Sequence, residues 1–122
     1  MAKTLDEWDH EWTSSIPLMT LEDQPDQLDL SHSIGLYRFL ENSEVIMIGQ
    51  GIESNNRGLL KRITDFTRTE DGARDYTGGR YIYNNRDNLT VSFLVMNDLT
   101  PDEINTLKSQ FINRYHPRLN RA

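Results

Sequence analysis

The stretch IGLYRFLENSEVIMIG, residues 34–49, decides how this chain folds. Apolar and aromatic residues dominate 34–40, Glu41-Asn42-Ser43 are turn formers, and 44–49 brings Val45, Ile46 and Ile48. Two short β-prone runs either side of a turn predict an antiparallel hairpin. Downstream, Ser54-Asn55-Asn56 offer N-caps for a helix over 56–67, with Leu59, Leu60, Ile63 and Phe66 as its apolar stripe. Residues 68–88 are rich in Gly, Asp, Asn and Arg and read as a long connection holding one short strand at 80–83. The run LTVSFLVM at 89–96 predicts another strand, with Leu89, Val91, Phe93 and Val95 on one face and Thr90 and Ser92 on the other. Thr100-Pro101-Asp102-Glu103 opens a last helix with an N-cap, a proline at N1 and a glutamate at N3. Ile104, Leu107, Phe111, Ile112 and Tyr115 form its apolar face, and Pro117 ends it. The expected fold class is α/β of the α+β type, an antiparallel sheet of about three strands flanked by helices.

Upstream of the hairpin the texture differs. Thr4-Leu5-Asp6-Glu7 has the capping-box pattern and predicts a short helix over 4–13, docked by Trp8 and Trp12. Residues 14–33 contain Pro17 and Pro25 and read as a linker or as a strap over the body. Residues 1–33 carry a net charge of −7, whereas 34–122 carry +1 with ten arginines. The expected organisation is therefore an acidic N-terminal arm, 1–33, and an arginine-rich domain, 34–122. A chain of 122 residues with net charge −6 is not a general cationic coat for nucleic acid. The absence of cysteine excludes disulfides, thiolate nucleophiles and zinc–thiolate sites. No apolar run has the length of a membrane span and the first residues do not resemble a signal peptide, so no membrane partner and a cytoplasmic location are expected.

Two residues break the helical patterns. Lys108 lies inside the apolar stripe of the last helix, and Arg62 is placed similarly between Leu59 and Phe66. Either their stems lie along the core edge while the charges reach water, or two helices each offer a cation to one shared cleft. Tyr76, Tyr81 and Tyr83 alternate with Arg74, Arg80 and Arg86, the composition of a stacking surface for single strands or of an ordinary exposed hairpin. The histidines, 10, 32 and 116, have no metal-ligand spacing, and Gly49-Gln50-Gly51 reads as a strand-to-loop bend.

Taken together, residues 35–120 resemble the GIY-YIG endonuclease family. Gly35-Leu36-Tyr37 matches the first motif and Met47-Ile48-Gly49 the second, with Gln50 behind it. Leu60-Lys61-Arg62-Ile63 is similar to the family's arginine helix, and Pro117 and Asn120 to its Pro-x-x-Asn tail. The resemblance implies phosphodiester hydrolysis, for which a nucleophile and well-placed cations are needed where negative charge builds. It implies Tyr37 as candidate general base, Arg62 as charge stabiliser and Gly49 as the glycine that lets the chain bend beside the site. Two positions depart from the family. Met47 replaces the second motif's tyrosine and can neither donate a hydrogen bond nor transfer a proton. Lys108 stands where the resemblance implies the metal-binding glutamate, and an ammonium cannot ligate Mg²⁺.

The candidate catalytic residues are thus Tyr37, Arg62 and Lys108, and the candidate nucleic-acid contacts are Arg57, Lys61, Arg68, Arg74, Arg80 and Arg86. The leading expectation is a nucleic-acid-acting protein, DNA before RNA, whose hydrolysis is lost or impaired because of Lys108. On this reading no cofactor is expected. The alternatives are an active or deliberately inactivated nuclease using Mg²⁺ or Mn²⁺, and a small acidic regulatory protein that meets a protein partner through its arm.

Overall fold

The fold is described from a computed structural model for residues 3–23, 30–53, 58–68 and 77–120. Strands β1 (Ile16–Pro17), β2 (Gly35–Glu41), β3 (Glu44–Gly51) and β4 (Thr90–Val95) form one antiparallel sheet in the order β1-β4-β2-β3. Helices α1 (Leu5–Asp9), α2 (Gly58–Arg68), α3 (Thr77–Asn84) and α4 (Pro101–Tyr115) surround it. The predicted hairpin is β2–β3, turned by Asn42 and Ser43 with φ of 51° and 69°. Both central residues at positive φ are what a two-residue turn needs to follow the right-handed twist of its strands.

Side chains alternate across β2 and divide the core in two. Tyr37 and Phe39 join Leu59, Leu60, Ile63 and Phe66 of α2 on one face. Leu36 joins Ile48, Leu94, Trp8 of α1, and Ile104 and Phe111 of α4 on the other. The register between β2 and β3 slips at Phe39/Leu40, where Phe39 faces Met47 and Leu40 faces Val45. Ile46 is therefore an extra residue, and the bulge lets both Ile46 and Met47 pack on the Tyr37 face.

Two expectations need correcting. Residues 80–83 are not a strand: they belong to helix α3, which buries Ile82 against the first cluster. The remaining strand is β1, whose Ile16 and Pro17 pair with Val91 and Thr90 of β4. Glycines 49 and 51 do not bend the chain into a loop, because β3 runs through both. On the Thr90–Ser92 face of β4, Ser92 is fully buried and its Oγ accepts from Arg38 Nε at 2.8 Å. The proposed caps at 54–56 lie outside the described residues.

The described part of 1–33 is tied to this sheet at several points. The capping box at Thr4 and Glu7 forms, and α1 buries Trp8. Thr13 Oγ1 accepts from Phe93 N at 3.1 Å, and the backbone N–H of Thr13 donates to Phe93 O at 3.1 Å. Asp9 accepts from Tyr115 Oη at 2.7 Å, while the Arg38 guanidinium lies 4.4 Å from the Trp12 ring centroid. Leu18 and Leu21 complete the first cluster. Residues 14–23 are thus a strap over the body.

Candidate functional site

Because β3 is the outermost strand, its far edge is left open, and α2 and α4 reach toward it from opposite faces of the sheet. Between them lies a cleft of about 340 Å³ lined by residues of β2, β3, α2, α4 and the C-terminal turn. Tyr37, Arg62 and Lys108 all line it, although they are far apart in sequence. The same cleft takes in Met47, Gly49, Gln50 and Asn120. The two helices that break their own apolar patterns therefore offer their cations to one space.

Gly49 is explained by its cross-strand partner Tyr37. A Cβ at position 49 would stand 2.3 Å from Tyr37 Oη and Cζ. The phenol lies over the bare backbone of β3, supported edge-on by Phe39 and Phe66 with centroids 5.4 and 6.1 Å away. At position 51 a Cβ would stand 3.0 Å from Leu59 Cα and 3.3 Å from Arg62 Cγ, so the second glycine lets α2 sit close enough for Arg62 to overhang the cleft.

The C-terminal wall is built by Asn120. Its Oδ1 accepts from the Ile48 N–H at 2.7 Å and its Nδ2 donates to the Ile48 carbonyl at 2.9 Å. One side-chain amide satisfies both outward-facing backbone groups of an edge-strand residue, as a neighbouring strand would. Arg118 fastens the same turn from its other side, to Glu41 at 2.6 Å, Tyr81 Oη at 3.0 Å and Glu44 at 3.3 Å. The Tyr81 and Arg118 hydrogen bonds hold the Glu41 carboxyl below its ordinary value of 4.5. Sequence reasoning identified Asn120 only as part of a tail motif, Tyr81 only as part of a tyrosine–arginine run and Glu41 only as a turn former, and it did not single out Arg118.

The electrostatics of the cleft are unusual. Lys108 is partly buried, and its ammonium is easier to deprotonate than an ordinary lysine, because of burial first and the nearby Arg62 charge second. Among the described residues neither Lys108 nor Arg62 is in an ion pair, and no carboxylate lines the cleft. Glu103, the nearest acid of α4, is spent on the capping box with Thr100. The Gln50 Oε1 is buried with no hydrogen-bond partner among the described residues.

A divalent cation does not fit this donor set. Hard dications need several oxygen ligands, normally including carboxylates. The cleft offers two cations instead, and no group of three His, Asp or Glu side chains among the described residues is arranged to hold a metal.

The remaining candidates lie elsewhere. Lys61 pairs with Asp65 at 3.0 Å, Arg68 is exposed at the end of α2, and Arg80 is exposed on α3. Arg86 stacks over Tyr83 at 4.2 Å and donates to its carbonyl. None of these four lines the cleft. Arg57 and Arg74 lie outside the described residues. Asp6 and Asp9 of the arm pair with Arg114 rather than with Arg62.

The fold of this chain has counterparts among solved structures. The GIY-YIG N-terminal endonuclease domain of UvrC from Thermotoga maritima superposes with a TM-score of 0.57 and 18% identity over 84% of this chain and 97% of that one. That structure is a tyrosine-to-phenylalanine mutant bound to the catalytic divalent cation. This chain has the GIY-YIG nuclease fold. A second tyrosine-to-phenylalanine mutant of the UvrC domain, also bound to its cation, matches at TM-score 0.57 and 20% identity over the same shares. An asparagine-to-alanine mutant matches at 0.56 and 18%. No family profile and no curated protein sequence matches the chain. Among the described residues no helix is long and apolar enough to cross a membrane.

Proposed function

We propose that this protein of GIY-YIG fold binds nucleic acid through its phosphate backbone and hydrolyses it poorly or not at all. One observation carries the reading: Lys108 lies in the cleft beside Arg62, with no carboxylate lining that space. Two cations without an ion-pair partner among the described residues suit an anionic oxygen, and none of the described residues lining the cleft could hold the dication that the UvrC structures contain. Two side-chain charges would bind a phosphate in place of a metal. They would not activate water, because Lys108 and Arg62 lack the acceptor a general base needs when protonated, and Met47 offers no hydroxyl. Tyr37 is the remaining candidate base lining the cleft.

The test is duplex DNA binding in EDTA as a function of salt. Backbone binding predicts a log–log slope of about −0.9 per phosphate contacted, with weaker binding and a shallower slope for Arg62→Ala and Lys108→Ala. Binding that is absent, or indifferent to salt, would remove the reading.

A further inference from the structure

We propose that the cleft recognises a phosphomonoester, the phosphorylated end of a nucleic-acid strand, held without a metal by Arg62 and Lys108. The proposal rests on the nucleic-acid reading above and deepens it. It starts from charge balance. An internal phosphodiester carries one negative charge, whereas a phosphomonoester carries about −1.5 to −2 at neutral pH because its second ionisation lies near pH 6. Lys108 and Arg62 line the same cleft, where burial and the Arg62 charge disfavour the charged form of Lys108, and among the described residues neither has a carboxylate partner. A monoanion would leave this partly desolvated pair half compensated. A dianion matches it and supplies three acceptor oxygens for the ammonium and the guanidinium.

The shape of the cleft agrees. It is bounded on one side by Leu119 and Asn120, and Asn120 is pinned to Ile48 by two hydrogen bonds, so this wall is fixed. A volume of about 340 Å³ lies at the small end of ligand pockets and suits a terminal phosphate with its sugar. Gln50 also lines the cleft and adds a neutral polar side chain beside the two cations. Of the other cationic candidates described, Lys61 is paired with Asp65, and Arg86 is engaged by Tyr83. Among the described residues, two cations without an ion-pair partner converge on this one small volume.

The experiment compares fluorescent oligonucleotides of one sequence, duplex and single-stranded, bearing a 5′-phosphate, a 3′-phosphate or hydroxyls at both ends. Each is titrated with the full chain in EDTA. At least one phosphorylated end should bind about tenfold tighter than the hydroxyl-ended strand. That preference should vanish in Arg62→Met and in Lys108→Met, while both variants still unfold cooperatively. It should also shrink below about pH 6, where the terminal phosphate becomes a monoanion; Tyr37 is the other titratable group lining the cleft. Equal affinity for all ends would overturn the proposal and leave backbone binding standing. No binding to any strand would overturn both. A nucleoside monophosphate that competes as tightly as the phosphorylated strand would also overturn it, because the partner would then be a free nucleotide rather than a strand end.

Discussion

Tyr37 and Gly49 face each other across β2 and β3, and the phenol occupies the space in which a side chain at 49 would begin. The tyrosine ring can lie over the edge strand because Gly49 has no Cβ. Gly49→Ala should therefore expel the ring and disturb the Phe39 and Phe66 contacts behind it, at a cost of about 1–3 kcal/mol. Urea unfolding checks this. Much of the loss should be recovered when Tyr37 is also truncated, since the two positions share one volume.

Asn120 clasps the backbone of Ile48 with both ends of its amide. Asn120→Ala leaves an N–H and a carbonyl of the edge strand without that partner, and should cost about 1–3 kcal/mol. Hydrogen exchange localises the effect: the Ile48 amide should lose protection ahead of the amides of β2.

Lys108 is a cost to the fold that the site imposes. Its charged form is disfavoured in the folded state, so its folded proton affinity lies below the ordinary 10.5. At neutral pH both folded and unfolded chains carry the proton and the penalty is fully present. It fades as pH rises from the folded value toward 10.5, where the folded chain has already lost the proton. Lys108→Met should accordingly raise Tm at pH 7, and its advantage over the unaltered chain should narrow as pH approaches 10.5. A constant gap would show that packing, not charge, sets the difference.

Glu41 behaves in the opposite sense. Tyr81 and Arg118 hold its carboxylate below 4.5, so their contribution to stability is present above that pH and is lost as pH falls through the folded value. Tyr81→Phe should be less stable than the unaltered chain at pH 7. The difference should shrink on acidification below pH 4.5, as followed by thermal melts.

Much of this architecture is legible in the sequence because local and tertiary preferences coincide. The β2–β3 hairpin pairs β-rich runs around Asn42-Ser43, and α4 is announced by a complete capping box at Thr100 and Glu103. The pattern-breaking cations Arg62 and Lys108 were visible for the same reason: each interrupts an otherwise regular stripe. Helix α3 was not legible, because Tyr81-Ile82-Tyr83 favours a strand locally. Its helical form is secured by contacts distant in sequence: Ile82 in the core and Tyr81 on Glu41 and Arg118. The role of Gly49 was hidden too, since the need for a missing Cβ is created by Tyr37, twelve residues earlier. Nor does periodicity show that α2 and α4 approach the cleft from opposite faces of the sheet. That arrangement depends on β3 being an edge.

Exchanging the cation for a carboxylate should change what the cleft attracts. Lys108→Glu places an oxygen ligand in the cleft and removes the charge that repels a metal. Millimolar Mn²⁺ should then raise Tm in this variant and leave the unaltered chain unmoved. Any nicking that follows should be weak, because Met47 still lacks a hydroxyl.

The central claim is that the cleft binds phosphate and does not use a divalent metal to cut. Its most direct measurement is supercoiled plasmid incubated with the unaltered chain and Mg²⁺ or Mn²⁺, in parallel with EDTA, under conditions where binding is saturated. Bound plasmid should remain supercoiled in every lane. Robust nicking that requires the metal and disappears in EDTA would contradict it, and would mean that a metal is held by residues other than those lining the cleft between Arg62 and Lys108.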